Sequence, residues 1–298
     1  MSTAVLLLAH GTPDSPADVP AYMQNITGGR PIPPEVMQEV QHRYTLIGRS
    51  PLTDITLRQA ARLRDALNLP VYAAMRNWHP FIADVVANML ADGITRIVAL
   101  CLAPHSSRTS VGLYRKALEQ ASAGRLAIDF VEHWHSEPLL IDSFAEKLSA
   151  VRANANAVIF TAHSVPCRTI CADATGAGDL YSAQTKHTAE LVARKVGLGD
   201  NNWFFAFQSQ GMSGGTTWIG PTVEATIDAL QAVGRRRVII QPIGFVCDHV
   251  EVLYDIDIAF KQYAAARGIE LSRTESLNDS PTFIAALAHI ARTRLAAL

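Results

Sequence analysis

Short, unbroken apolar runs alternate along this chain with longer stretches that carry apolar residues at helical spacing. Runs at 4–9, 71–75, 97–102, 127–132, 158–162, 203–208 and 238–243 read as strands, with a weaker one near 269–276. Between them, 54–67, 80–90, 181–196 and 223–233 read as amphipathic helices. A strand without polar alternation is buried on both faces, and parallel strands need a crossover that a helix supplies. The pattern predicts an α/β chain built on parallel sheets with helices on both faces.

An internal repeat sharpens this. The first run reads LLLAHGTP, ending at His10, Gly11 and Pro13, and a run halfway along reads IFTAHSVP, ending at His163, Ser164 and Pro166. A long loop region, a helix and a second strand follow each. Strand–helix units on both sides of about residue 150 predict a duplicated domain. In open parallel sheets ligands sit beyond the carboxyl ends of the strands. His10, His163, Pro104-His105 and 244–249 are therefore expected to converge on one cleft between the two halves.

Charge and cysteine usage exclude several classes. The 298 residues carry 26 Lys and Arg against 27 Asp and Glu, without the basic excess of a nucleic-acid binder. The densest basic cluster, Arg235-Arg236-Arg237, reads as a solvated loop before a strand. No apolar run approaches the roughly 18 residues that span a bilayer. Residues 4–9 lack a basic leader and a cleavage site, so they read as a first strand and not a signal peptide. The four cysteines form no disulfide framework, which fits a reducing cytosol. Cys167 and Cys171 fall short of the four ligands that zinc or an iron–sulfur cluster usually takes, and read as ordinary loop cysteines.

The chemistry is concentrated in QPIGFVCDHVEVLYDID, residues 241–257. A strand ends at Gly244 and a helix is expected to begin around Cys247 or Asp248. Asp248, Glu251 and Asp255 then fall at i, i+3 and i+7, on one stripe. Acids near a helix N-terminus are ordinarily a solvated face that the dipole favours. Here no Lys or Arg intervenes before Lys261, and Val250, Val252 and Leu253 flank the acids with apolar bulk. Like charges on one stripe repel unless they share protons or bind a cation. His163 can be read as a satisfied loop histidine or as an accessible imidazole between the small residues Thr161, Ala162 and Ser164. Imidazole with carboxylate suits a borderline divalent ion such as Fe²⁺. The same pair can also take up protons near neutral pH. Spacing alone leaves metal handling and acid–base catalysis both open.

TAHSVP at 161–166, FQSQGMSGGTTWIGPTVE at 207–224 and PIGFVCDHVEVLYDID at 242–257 resemble the diagnostic motifs of the ferrochelatase family. AHGTP at 9–13, HRYTLIGRSPLTDIT at 42–56 and APHSSRTSVGLY at 103–114 match as well, so the resemblance covers essentially the whole chain. It implies two Rossmann-like halves, 1–150 with porphyrin propionate contacts and 151–298 with the catalytic pair, the last helix packing back on the first half. It implies insertion of Fe²⁺, a substrate, into a porphyrin in haem biosynthesis. His163 corresponds to the family's essential histidine and Glu251 to its partner glutamate, binding iron, accepting pyrrole protons, or both. Asp255, and Asp248 with it, would extend a metal or proton path. His10 and Thr12 would lie against the ring, with His10 available as an axial iron ligand. Arg43, Ser50, Arg76, Tyr114 and Ser209 would meet propionates, with Arg30 close by; guanidinium groups are well shaped for carboxylates.

Three positions depart from the coproporphyrin-using subgroup: His10 stands where a tyrosine is common, Thr27 where an arginine is common, and Ala259 where some relatives carry an acid. The chain ends at Leu298 in a plain amphipathic helix without a cysteine-bearing extension, so no [2Fe–2S] cluster and no tightly bound cofactor are expected. Coproporphyrin III is the favoured substrate, with protoporphyrin IX left open by His10 and Thr27. A cytoplasmic enzyme is expected, with transient membrane contact and a downstream haem-pathway enzyme as partners for a hydrophobic product. The competing readings are a cobalt or nickel chelatase acting on a sirohydrochlorin-type ring and a non-catalytic haem or porphyrin carrier.

Overall fold

The computed structural model describes residues 2–170, 178–211 and 216–297. The chain forms two compact units, Met1–Trp134 together with Asn278–Leu298, and His135–Leu277. Cys171 lies outside the described residues, as does part of the 207–224 motif.

In the first unit the order is β1 (Ser2–Ala9), α1 (Val19–Thr27), α2 (Pro34–Ile47), α3 (Leu52–Leu67), β2 (Val71–Met75), α4 (Ile82–Ala91), β3 (Ile94–Cys101), α5 (Val111–Ser122) and β4 (Ala127–Val131). The four strands form one parallel sheet in the order β2-β1-β3-β4. Residues 4–8 of β1 are completely buried. That is why the first apolar run shows no polar alternation: it is a central strand covered on both faces.

The second unit runs α6 (Pro138–Val151), β5 (Ala157–His163), α7 (Cys167–Ile170), α8 (Tyr181–Lys195), β6 (Trp203–Gln208), α9 (Val223–Ala232), β7 (Arg237–Pro242), α10 (Val250–Leu253), a π-helical turn (Asp255–Phe260), α11 (Lys261–Ala265) and β8 (Glu270–Arg273). Its sheet, β6-β5-β7-β8, is also parallel. Strand for strand this order matches the first unit. β1 and β5 occupy equivalent central places, and the two Ala-His pairs sit at their carboxyl ends. The sequence repeat is thus a repeat of topology.

The last helix, α12 (Pro281–Ala296), belongs to the first unit. Arg58 and Arg62 on α3 pair with Asp279 at its start (3.3 and 3.0 Å), and Phe283 stacks on Trp134 with ring centres 6.1 Å apart. Arg294 on its last turn pairs with Asp129 on β4.

The strand after which the acidic motif begins departs from expectation. The helix starts at Val250, not at Cys247 or Asp248, and His249 before it is fully extended (φ −161°). Gly244 shows why the chain takes this path. A Cβ there would sit 2.7 Å from the Ala162 Cα and 2.8 Å from its Cβ, and the Gly244 N–H donates to the Thr161 carbonyl (3.0 Å). The segment leaving β7 lies directly against the end of β5, so it must cross that strand before a helix can begin.

Candidate active site

His163 ends β5 and Glu251 lies in the first turn of α10, and the crossing at Gly244 brings them together. His163 Nε2 is 3.1 Å from Glu251 Oε1, and both side chains keep about a third of their surface open (34% and 29%). His163 Nδ1 contacts the Ser164 carbonyl, which fixes the proton on that nitrogen and turns Nε2 toward the carboxylate. The other carboxylate oxygen, Oε2, faces His249 Nε2 at 3.4 Å. The Phe245 ring packs against both imidazoles, with centres 6.4 Å from His163 and 4.5 Å from His249.

Burial opposes charge on His163, yet the adjacent Glu251 carboxylate prevails and pushes its pKa up from 6.5 to about 9. Burial likewise opposes charge on Glu251, and the two histidines hold its carboxyl well below the ordinary range. At neutral pH the open pair therefore rests as imidazolium and carboxylate. The expectation that the pair takes up protons near neutrality changes accordingly: Glu251 is the member without a proton, and His163 can accept one only after losing the proton it already holds.

Side chains from other elements fix the pair. Gln208, at the end of β6, accepts from Thr161 Oγ1 (2.6 Å) and donates to the Glu251 carbonyl (2.8 Å), tying β5, β6 and α10 together. Tyr181, the first residue of α8, donates to the His163 carbonyl at 3.0 Å. Asp255 is 95% buried in the first π-helical position and accepts from Ser209 Oγ at 2.5 Å. Ser209, expected at a propionate, is thus bonded to the buried acid of this same site.

The expected stripe of three acids is not present. Asp248 precedes the helix and accepts from Ser276 (2.8 Å) and Arg273 (3.2 Å). Arg273, on β8, also clasps Asp257 (2.9 Å), which Lys261 pairs from the other side (3.0 Å). The cation missing from the local sequence comes from a strand packed alongside, so Asp248 has no need of a metal. Glu251 and Asp255 remain with His163. Among the described residues no group of three His, Cys, Asp or Glu side chains is arranged as a metal cage. A two-ligand, partly open station suits an ion in transit better than a resident one.

In the first unit, His10 follows β1. Its Nδ1 lies 3.0 Å from the Tyr22 hydroxyl and its Nε2 accepts from Asn77 Nδ2 (2.9 Å), so both nitrogens are engaged. Thr12 Oγ1 contacts the Tyr44 hydroxyl (3.2 Å). Gly11, at φ +83°, allows the turn that follows: a Cβ there would lie 2.9 Å from the Trp78 backbone nitrogen. Arg76 lies over the Tyr114 ring, 5.3 Å from its centre, with its buried Nε unpartnered among the described residues. The buried Ser50 hydroxyl is unpartnered in the same sense. Buried polar atoms in that state are costly, and a ligand that accepts hydrogen bonds would relieve them. Arg43 is instead paired with Glu39 one turn away (2.8 Å), and Arg30 Nε donates to the carbonyl of Thr27, the last residue of α1 (2.9 Å).

A family model described as ferrochelatase matches residues 2–295. A ferrochelatase from Acidobacterium capsulatum is 53% identical over 308 residues, covering 98% of this chain and 94% of that protein. The chain belongs to the ferrochelatase family. It is an enzyme of metal insertion into a porphyrin. A relative from Geobacillus named coproporphyrin III ferrochelatase is 36% identical, covering 98% of this chain and 97% of that protein. Among solved structures, SirB from Bacillus subtilis with Fe³⁺ has a TM-score of 0.61 at 10% identity, covering 98% of this chain and 95% of that one. At that identity the likeness shows the chelatase fold alone.

Several residues that hold the candidate side chains within each unit escaped the sequence reading. Gln208 and His249 lay inside quoted motifs, and their polar types between apolar neighbours were the available signal. Tyr181, Tyr22 and Asn77 carried none, because each reaches its histidine only through the folded sheet.

Proposed function

We propose that this chain inserts Fe²⁺ into coproporphyrin III, with His163 and Glu251 as the last protein ligands of the ion and the acceptors of the pyrrole protons. The observation that carries this is the open imidazole–carboxylate contact at the end of β5, 3.1 Å between Nε2 and Oε1. The proton count follows from its resting charge. Fe²⁺ displaces the Nε2 proton of the imidazolium and sits between imidazole and carboxylate. As the ion passes into the ring, the two nitrogen-bound protons leave to the vacated imidazole and carboxylate. His163 regains its resting proton, and Glu251 passes the other to solvent, with Asp255 and Ser209 adjoining. The sum is Fe²⁺ plus free-base porphyrin giving metalloporphyrin and two protons.

Coproporphyrin III carries four propionates where protoporphyrin IX carries two. The orphaned donors Arg76 and Ser50 in the N-terminal half are suited to such carboxylates, beside Tyr114 and Thr12. Arg43 and Arg30 would join by exchanging their present local partners. His10 would ligate iron by exchanging Asn77. The Geobacillus relative's name favours the same porphyrin.

No described helix is long and apolar enough to cross a membrane. We place the reaction in the cytoplasm, with the hydrophobic product passed on by transient membrane contact or to a downstream haem-pathway enzyme. The test offers both porphyrins side by side with Fe²⁺ under anaerobic conditions. Faster loss of coproporphyrin III fluorescence is the expected result. Equal or faster use of protoporphyrin IX would overturn the substrate assignment, and tight haem binding without turnover would make the chain a carrier.

A further inference from the structure

Two imidazoles meet in the second unit, apart from the His163–Glu251 pair. His135 lies just before α6 and His187 lies on α8, and His187 Nδ1 is 3.3 Å from His135 Nε2. The ring centres are 5.5 Å apart with planes inclined by 60°. His187 is exposed and His135 half-buried. The loop is held to the helix beside them, because Thr188 Oγ1 donates to the His135 carbonyl at 2.9 Å. The two nitrogens are thus presented by a fixed loop and a fifteen-residue helix.

We infer that His135 and His187 form a surface site for a borderline divalent transition ion, a site additional to the one that handles the iron substrate. The distance is the argument. Two imidazole nitrogens bound at about 2.0–2.1 Å to one tetrahedral ion stand roughly 3.3–3.4 Å apart, and at right angles about 2.9 Å. The observed 3.3 Å is the tetrahedral chord. Two neutral imidazoles at this separation share one proton between them, and an ion replaces that single bond with two stronger ones. The exposed His187 ring can turn its lone pair toward a common centre without disturbing the loop. Imidazole suits Zn²⁺, Cu²⁺, Ni²⁺ and Fe²⁺ over Mg²⁺ or Ca²⁺. No third His, Cys, Asp or Glu completes the set among the described residues, so water fills the remaining positions.

Tag-free protein titrated calorimetrically with Zn²⁺ tests the site in wild type, His187→Ala, His135→Asn and His163→Ala. The expected outcome is that His187→Ala and His135→Asn each weaken one class of bound Zn²⁺ by about tenfold or more, with iron insertion unchanged. His163→Ala retains that ion. Cu²⁺ bound to His163→Ala should show hyperfine coupling to two imidazole nitrogens, lost when His187 is also replaced. Unchanged Zn²⁺ stoichiometry and affinity in both single variants, or copper without the two-nitrogen signature, would overturn the site and leave a hydrogen-bonded pair only. Neither result bears on whether the chain metallates porphyrin, which His163→Ala reports separately.

Discussion

His163 and Glu251 define each other's charge. The imidazole is raised because the carboxylate is near, and the carboxylate is depressed because two imidazoles face it. Replacing Glu251 with Gln keeps the shape and removes the charge. The His163 pKa should then fall from about 9 toward or below 6.5, since burial is no longer opposed, and NMR titration of the ring would follow it. A value that stays near 9 would mean another group sets it. Iron insertion in the same variant should drop by about 100-fold or more, the usual scale for a lost proton acceptor. At this scale the sequence was only partly informative. His163 stood out because it ends a strand where parallel sheets place ligands, whereas spacing gave three acids and only the family resemblance singled out Glu251, the one that meets it. Asp248 misled, because Arg273, 25 positions along the chain from it, neutralises it in three dimensions and no local pattern announces that.

Two short elements do the positioning. The first is the crossing at Gly244, where a methyl group would strike Ala162. Gly244→Ala should cost about 1–3 kcal/mol of stability, as overpacking does, and should slow insertion by moving α10 away from β5. Denaturant melts and turnover measured together would show this, and a variant of wild-type stability and rate would contradict it. The second is the π-helical turn that follows α10, where the Ala259 N–H reaches back to the Tyr254 carbonyl (3.0 Å). The extra residue per turn re-aims the helix so that Asp255 points inward to Ser209 while Asp257 faces Arg273. Helical periodicity cannot reveal such a turn, since a π turn breaks the period it would be read from. Asp257 also carries a pH signature. Burial opposes its charge, but Arg273 and Lys261 hold its carboxyl below the ordinary value near 4. A depressed folded value means the stabilisation is present above the unfolded pKa and is lost as pH falls through the folded one. Thermal melts should therefore show wild type losing stability below about pH 4 more steeply than Asp257→Asn. Parallel pH profiles would contradict the pairing.

At the level of the whole chain, the alternation of buried strands and amphipathic helices was sufficient to read the architecture, because a central parallel strand cannot afford polar positions on either face. The repeat of Ala-His pointed to two equivalent sheets, and their strand orders match. Allegiance of the helices was harder to read. α6 sits with the second unit and α12 with the first, through contacts such as Arg58 with Asp279 and Gln241 with the Phe144 carbonyl (2.8 Å), which join residues far apart in sequence. Porphyrin choice, on the proposed reading, would rest on donors spread over α5, the loop before α3 and the segments that follow β1 and β2. Removing the guanidinium whose buried Nε lacks a partner among the described residues, with Arg76→Ala, should raise the KM for coproporphyrin III more than it lowers kcat, because a propionate contact binds substrate and transition state alike. Steady-state kinetics would decide, and an unchanged KM would place the propionates elsewhere.

On the proposed mechanism, one imidazole–carboxylate pair both delivers the ion and collects the protons. Its most direct test is anaerobic Fe²⁺ insertion into coproporphyrin III by wild type and His163→Ala, with porphyrin binding measured in parallel. The variant should still bind the porphyrin and lose turnover by at least about 100-fold. Insertion at the wild-type rate in His163→Ala would contradict it and move the chemistry to another part of the molecule.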